Sequence, residues 1–365
     1  MKTSFWIAPF ALLALVSACV GPPRAVPVVV AKPGFIPAPP RPVIAPPVTR
    51  PALDPRITPL PALVTGLRSL AQGFDGIVGI AVTRIDGSWT FSHRGDELFP
   101  QQSVSKLWVA LTVMNAVDAG TVKLDQKVRI DSSDLTLFHQ PIAQLVGKDG
   151  YTTTVADLLR RAMTASDNSA NDRLANLVGG PEKIRAVLAE KDIIGIRFGP
   201  GERGLQSGTA GMKWRQEYSI GRAFYTARAL VPVAEREAAL DKYLANPVDG
   251  ARPDAIVATL AKLQRGALLS ESSTRHLLSL MDEATTGKQR IRGGVPYDWQ
   301  YGHKTGTGQS LNGRETGYND VGIMTAPDGT SYAVAVMIAQ TRRPVPVRQA
   351  LMQGVAALIA ANHQK

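Results

Sequence analysis

The apolar positions of this chain change period along its length. From Gly76 to Gly95, "GIVGIAVTRIDGSWTFSHRG" holds two apolar runs joined at Asp86-Gly87, which predicts a β-hairpin. The pattern returns near the C-terminus. There the alternation predicts strands at Val321–Thr325 and Ser331–Ala339, turning at Pro327-Asp328-Gly329. After Pro344 the spacing of Val347, Leu351, Val355 and Leu358 becomes helical. Between about Ser103 and Leu280 helical patterns dominate, as in "KLWVALTVMNAVDAG", "TVADLLRRAMTA", "PEKIRAVLAEK" and "PDAIVATLAKLQRG". One stretch there, "FGPGERGLQ" (Phe198–Gln206), has three glycines and a proline and predicts a loop. Strands at both ends with helices between predict an α/β fold. Its antiparallel sheet is built from both termini, flanked by N- and C-terminal helices, with an inserted all-α subdomain. The α/β part is expected over 63–100 and 290–365 and the helical part over 101–289. A cleft between them is where a site is expected.

Composition changes the picture mainly at the N-terminus. Of the 26 prolines in 365 residues, fourteen fall between Val20 and Ala62, in a segment without helical or strand period. This reads as an extended linker over 19–62. Before it, Lys2 and the apolar run "FWIAPFALLALVSA" have the form of an export signal, residues 1–18, too short to span a bilayer. "LVSAC" resembles the lipobox of bacterial lipoproteins, which implies cleavage before Cys19 and a lipid on it. Cys19 is the only cysteine. With Val20 following, the resemblance implies an outer-membrane anchor facing the periplasm of a Gram-negative cell. The net charge of +11 lacks the arginine-rich runs or interleaved aromatics of nucleic-acid readers. In an exported protein it points to anionic lipid or cell-wall polymer, such as peptidoglycan.

Three short motifs carry the candidate chemistry. Ser103-Val104-Ser105-Lys106 opens an apolar helix and puts a serine and a lysine three apart on one face. A desolvated lysine there can take the serine's proton. Alone, S-x-x-K is expected about once by chance in a chain this long, and it reads equally as an N-cap serine and a surface lysine. Ser166-Asp167-Asn168 and Lys304-Thr305-Gly306 follow it. The three in this order have a chance on the order of one in a thousand.

This order resembles the penicillin-recognising serine hydrolases, and class A β-lactamases most closely, from about Leu63 to the C-terminus. The resemblance implies that Ser103 is the nucleophile and Lys106 its proton acceptor or electrostatic partner. It makes Ser166 a proton relay to the leaving nitrogen and gives Asn168 the substrate's side-chain amide. Lys304, Thr305 and Arg290 would attract the carboxylate, beside Gly306 of the same motif. The backbone N–H groups of Ser103 and Thr307 would form an oxyanion hole. Asp167 is expected to hold its turn. Arg290, in "TTGKQRIRGGVPYDW", falls where some members keep an arginine that others place on the next strand, where this chain has Asp320. Glu202-Arg203-Gly204-Leu205-Gln206 resembles the family's E-x-x-L-N, whose Glu activates the deacylating water; Gln206 replaces Asn. Glu217 and Glu182 are the rival acids. His303 stands where the family usually has Asp, and Phe138-His139 could line the cleft entrance. An insertion over about 207–246 includes "AEREAALDKYLA", read as a helix with a solvated face or as a lid over the cleft. The resemblance implies a monomer that acts on β-lactams and calls for no cofactor or metal. A D,D-peptidase or esterase on the same scaffold, and a lactam or peptidoglycan sensor that acylates and stops, remain alternatives.

Overall fold

The computed structural model describes residues 58–363. Cys19, the signal segment and most of the proline-rich linker lie outside the described residues. Helix α1 (Pro61–Gly73) is followed by β1 (Gly76–Arg84), β2 (Thr90–His93) and the short β3 (Phe99–Pro100). The helical part then runs through α2 (Lys106–Asp118), the pair β4 (Lys127–Ile130) and β5 (Tyr151–Thr154), α3 (Val155–Thr164), α4 (Asn168–Leu177) and α5 (Gly180–Glu190). Next come α6 (Glu202–Thr209), α7 (Ala223–Leu230), α8 (Val233–Ala245), β6 (Gly250–Ala251), α9 (Pro253–Gln264) and α10 (Glu271–Asp282). Strands β7 (Gln300–Thr307), β8 (Ser310–Leu311), β9 (Arg314–Thr325) and β10 (Ser331–Thr341) and helix α11 (Val345–Ala361) complete it.

The main sheet has the order β2-β1-β10-β9-β7, with β8 on β9, and its pairs are antiparallel. Its central strand shows why both faces are covered. Ala333, Ala335 and Met337 of β10 join the core of the helical part, whereas Val334, Val336 and Ile338 join a second core with α1 and α11. That is the two-residue period of a strand buried on both sides. Leu67 and Met352, fully buried in the second core, each contribute about 1.5–3 kcal/mol by leaving water.

Three local expectations are corrected. The buried stripe of α11 is Arg348, Leu351, Met352, Val355, Ala356 and Ile359, while Val347 is 37% exposed. Hydropathy misses this face because Arg348 belongs to it, lying over the Tyr318 ring at 4.8 Å and pairing with Glu315 at 3.5 Å. Strand β9 begins at Arg314, ahead of the apolar run, because Thr316, Asn319 and Asp320 are buried with partners. The third correction concerns "FGPGERGLQ", which is a loop only up to Gly201. Glu202–Thr209 is helix α6. Gly201, at φ 86°, makes the turn into it. Glu202, Leu205, Gln206 and Thr209 then bury one face, which offsets the cost of about 1 kcal/mol per internal glycine.

Candidate active site

Ser103 lies in a single 3-10 turn, Gln102–Ser105, that runs directly into α2. The turn is strained and tightly held. Gln102 takes φ 54°, a region that a residue with a side chain occupies only when its surroundings enforce it. Its N–H donates to Asp249 Oδ2 at 2.8 Å. Its side-chain Nε2 donates to the Tyr243 hydroxyl at 2.7 Å, which in turn donates to Asp249 Oδ1 at 2.9 Å. Gln101 donates to the carbonyls of Arg197 and Asp249 and accepts from Trp108 Nε1 at 2.6 Å.

One turn on, Lys106 is fully buried. Its Nζ donates to Ser103 Oγ at 2.8 Å, to Asn168 Oδ1 at 2.8 Å and to Glu202 Oε1. Those three acceptors use the three hydrogens of an ammonium. Glu202, at the first turn of α6, is likewise buried. Its N–H donates to Asp172 Oδ1 at 3.1 Å, and its Oε2 accepts from Gln206 Nε2 at 3.3 Å. Gln206, one turn on, also donates to Gln102 Oε1 at 3.0 Å. The longer amide therefore reaches both the acid and the turn before Ser103. The rival acids stand elsewhere: Glu217 is exposed and paired with Arg215, and Glu182 is exposed near Arg185.

The opposite wall is β7, an edge strand. Lys304 is buried and its Nζ donates to Ser166 Oγ at 2.9 Å. Ser166, at φ 62°, precedes α4, and Asp167 caps that helix by accepting from Ala170 N–H at 3.0 Å while its other oxygen accepts from Ile142 N–H at 2.7 Å. Burial, and then the positive charges of Lys106 and Arg290, hold the Lys304 ammonium well below the ordinary lysine range. At Gly306 a Cβ would stand 2.2 Å from the Gln101 carbonyl oxygen, so only glycine lets β7 approach the turn that carries Ser103. Thr305 and Thr307 point to the other face of the strand. There the Thr305 hydroxyl meets Thr286 Oγ1 at 2.8 Å, and Thr307 Oγ1 accepts from Arg290 Nη2 at 2.6 Å.

Arg290 is buried against β7. Its Nη1 donates to the carbonyls of Gly306 and Asn319, at 2.9 and 2.5 Å, and its guanidinium lies 3.8 Å from the Tyr318 ring centre. Arg290 thus grips β7 at the Gly306 carbonyl and the Thr307 hydroxyl. Asp320 accepts from Ile291 N–H at 3.0 Å and so docks the turn that carries Arg290. His303, beside Lys304, is fully buried with Nδ1 2.7 Å from Asp320 Oδ1. His139 is exposed. Its backbone, not its imidazole, touches the site: the His139 and Leu137 carbonyls accept from Asn168 N–H at 2.9 Å and Asn168 Nδ2 at 2.8 Å.

Sequence reasoning passed over Gln102, Asp172, Tyr243 and Asp249. Asp172 was signalled, four residues after Asn168 and hence on its face of α4. Tyr243 and Asp249 carry no signal, because an insertion and a loop bring them beside Ser103 only after folding.

A half-buried serine bonded to a buried lysine–carboxylate pair, facing a second serine–lysine pair, defines the class, a serine hydrolase. Comparison with known proteins narrows it. A model of the β-lactamase enzyme family matches residues 62–363. β-Lactamase VEB-1 of Pseudomonas aeruginosa is 26% identical over 295 residues, covering 80% of this chain and 88% of its own. Extended-spectrum β-lactamase PER-1 of the same organism is 29% identical over 297 residues, covering 81% and 85%. Among solved structures, a β-lactamase from Chitinophaga pinensis superimposes with a TM-score of 0.67 at 26% identity, covering 82% of this chain and 99% of its own. An ancestral class A β-lactamase gives 0.64 at 27% identity, covering 82% and 99%. The chain belongs to the β-lactamase enzyme family, on the class A side.

Proposed function

We propose that the cleft opens the amide of a β-lactam through an acyl-enzyme on Ser103 and that Glu202 serves the water that releases it. The carrying observation is the position of Lys106, bonded at once to Ser103, Asn168 and Glu202. With its three hydrogens donated, Lys106 rests as an ammonium. It accepts the Ser103 proton only after passing one to Glu202, so the net transfer in acylation runs from Ser103 Oγ to the Glu202 carboxylate. Ser103 Oγ bonds to the lactam carbonyl carbon, and the carbon–nitrogen bond breaks. Ser166, on Lys304, gives the leaving nitrogen its proton and is resupplied by the lysine. A substrate carboxylate arriving at Lys304 offsets the burial that depresses that lysine and favours its charged form. Before the second half, the proton on Glu202 leaves through solvent and Lys304 regains the one it gave up. Glu202 then takes a proton from water, the hydroxide attacks the ester carbonyl carbon, and the bond to Ser103 Oγ breaks as Glu202 returns that proton to Oγ through Lys106. Gln206, donating to Glu202 Oε2, keeps that carboxylate oriented.

Intact-mass spectrometry after mixing with a cephalosporin tests both halves. The wild type should show a transient adduct and full turnover. Ser103→Ala should show neither, and Glu202→Gln, which also loses the acceptor of the Ser103 proton, should form the adduct more slowly and then hold it on Ser103 for at least about a hundredfold longer. A persistent wild-type adduct would make the protein a sensor, and an unchanged lifetime in Glu202→Gln would remove Glu202 from deacylation. We further propose that a lipid on Cys19 anchors the domain to the outer membrane, on the lipobox resemblance and the proline-rich spacer. The wild type should fractionate with membranes and Cys19→Ser with the soluble periplasmic content; equal partition would overturn the anchor.

A further inference from the structure

The inserted segment bridges the two parts of the molecule. On the helical side, Gln216 Nε2 donates to the Ser132 carbonyl at 2.7 Å, and Gln140 Nε2 donates to the Ser219 carbonyl at 3.0 Å. The Phe138 ring packs edge-on against Phe224 of α7 at 5.2 Å and tilted against Tyr225 at 5.9 Å. On the sheet side, Arg228 Nη1 donates to Gln309 Oε1 at 2.8 Å, just beyond β7. Glu237 accepts from Asn312 at 2.7 Å, and Asp241 accepts from Arg314 at 2.5 Å. Helix α7, eight residues and about 12 Å long, is the piece between the two sets of ties.

Both anchor points touch the catalytic groups. The 137–139 backbone accepts from Asn168, and Gln309 Nε2 donates to the Gln206 carbonyl at 2.8 Å and to its Oε1 at 3.2 Å. The strap therefore closes a ring around the space in front of Ser103, on the side of Asn168 and Gln206. Asn168 is where the resemblance places the substrate's side-chain amide.

We propose that α7 limits which lactams the cleft admits, with Arg228 as its latch on Gln309 and Tyr225 as the wall that a bulky side chain meets. This rests on the lactam reading above. Tyr225 is 42% exposed, and its ring is framed by Arg228 at 5.5 Å and Arg222 at 5.8 Å, so it is held in place while still facing solvent. A flat aromatic acetamide fits beside such a wall. A branched aryl-oxime side chain requires it to move.

Two cephalosporins with one nucleus and one leaving group, differing only in that side chain, test this. In Arg228→Ala the ratio of kcat/KM for the branched to the flat substrate should rise about tenfold over the wild type, the scale on which a pocket discriminates by bulk. Tyr225→Ala, half-exposed and expected to fold regardless, should raise the ratio in the same direction. An unchanged ratio in both variants, with thermal unfolding like the wild type, overturns the proposal. A wild type that turns over neither compound overturns the lactam reading, and side-chain selection with it. Turnover of both by the wild type with a fixed ratio in the variants overturns the strap alone.

Discussion

Asp172 and Glu202 place two carboxylates together behind Ser103, with Lys106 bonded to only one of them. Asp172 accepts the Glu202 N–H, so its position is useful, but its charge is costly. Burial, and then the negative charge of Glu202, push its carboxyl from 3.8 to about 6. Between those two pH values the folded chain keeps a proton that the unfolded chain has lost. The resulting stability is full below 3.8 and is lost as pH rises through about 6. Asparagine keeps the oxygen that accepts from Glu202 and removes the charge. Asp172→Asn should therefore be more stable than the wild type at pH 7 by about 2–3 kcal/mol, and by less than half of that at pH 4.5. Urea unfolding at the two pH values measures it. A gain that does not shrink on acidification would mean that the buried charge is not what destabilises the site.

At the scale of elements, the sequence was most legible where one local pattern decides the outcome. Asp86-Gly87 and Pro327-Asp328-Gly329 turn strands whose partners are next in the chain, and α2 is apolar along its length, so these elements follow from neighbours alone. The three motifs were legible because each is a few contiguous residues. Helix α6 was not. Its glycines predict a loop, and what makes it helical is distant: Leu205 packs with Leu240 and Tyr243 of α8. The inserted segment was half legible. The charges of α8 do include a solvated face, with Glu235 and Asp241 exposed, but its apolar side and the Tyr243 hydroxyl complete the support of Gln102. Periodicity gives a helix one buried face; it does not say which surface that face covers. The same limit explains Arg290, whose motif was readable although its contacts with the Gly306 and Asn319 carbonyls and the Thr307 hydroxyl were not.

At the scale of the molecule, the two-part description conceals a shared sheet. Val321, Ile323, Ala335 and Met337 lie in one apolar cluster with Leu107 and Leu111 of α2, Ile256 and Leu260 of α9 and Leu277 of α10. Alternate residues of the same strands form the other cluster with α1 and α11. Losing the helices would strip one face of the sheet while the other remained packed, and the ties of the inserted segment would break as well. Chains of this size commonly unfold through intermediates. Here the two cores share their central strands, which favours a single transition. Trp108 reports the helical core, where it bonds Gln101, and Trp299 reports the other, stacked on Tyr332 at 6.1 Å. In variants that keep only Trp108 or only Trp299 of the chain's five tryptophans, each checked for native stability, the two fluorescence midpoints in urea should coincide with each other and with the loss of helix signal. Earlier loss of the Trp108 signal would show that the helical part melts first, and the bridging ties would then be too weak to couple it to the sheet.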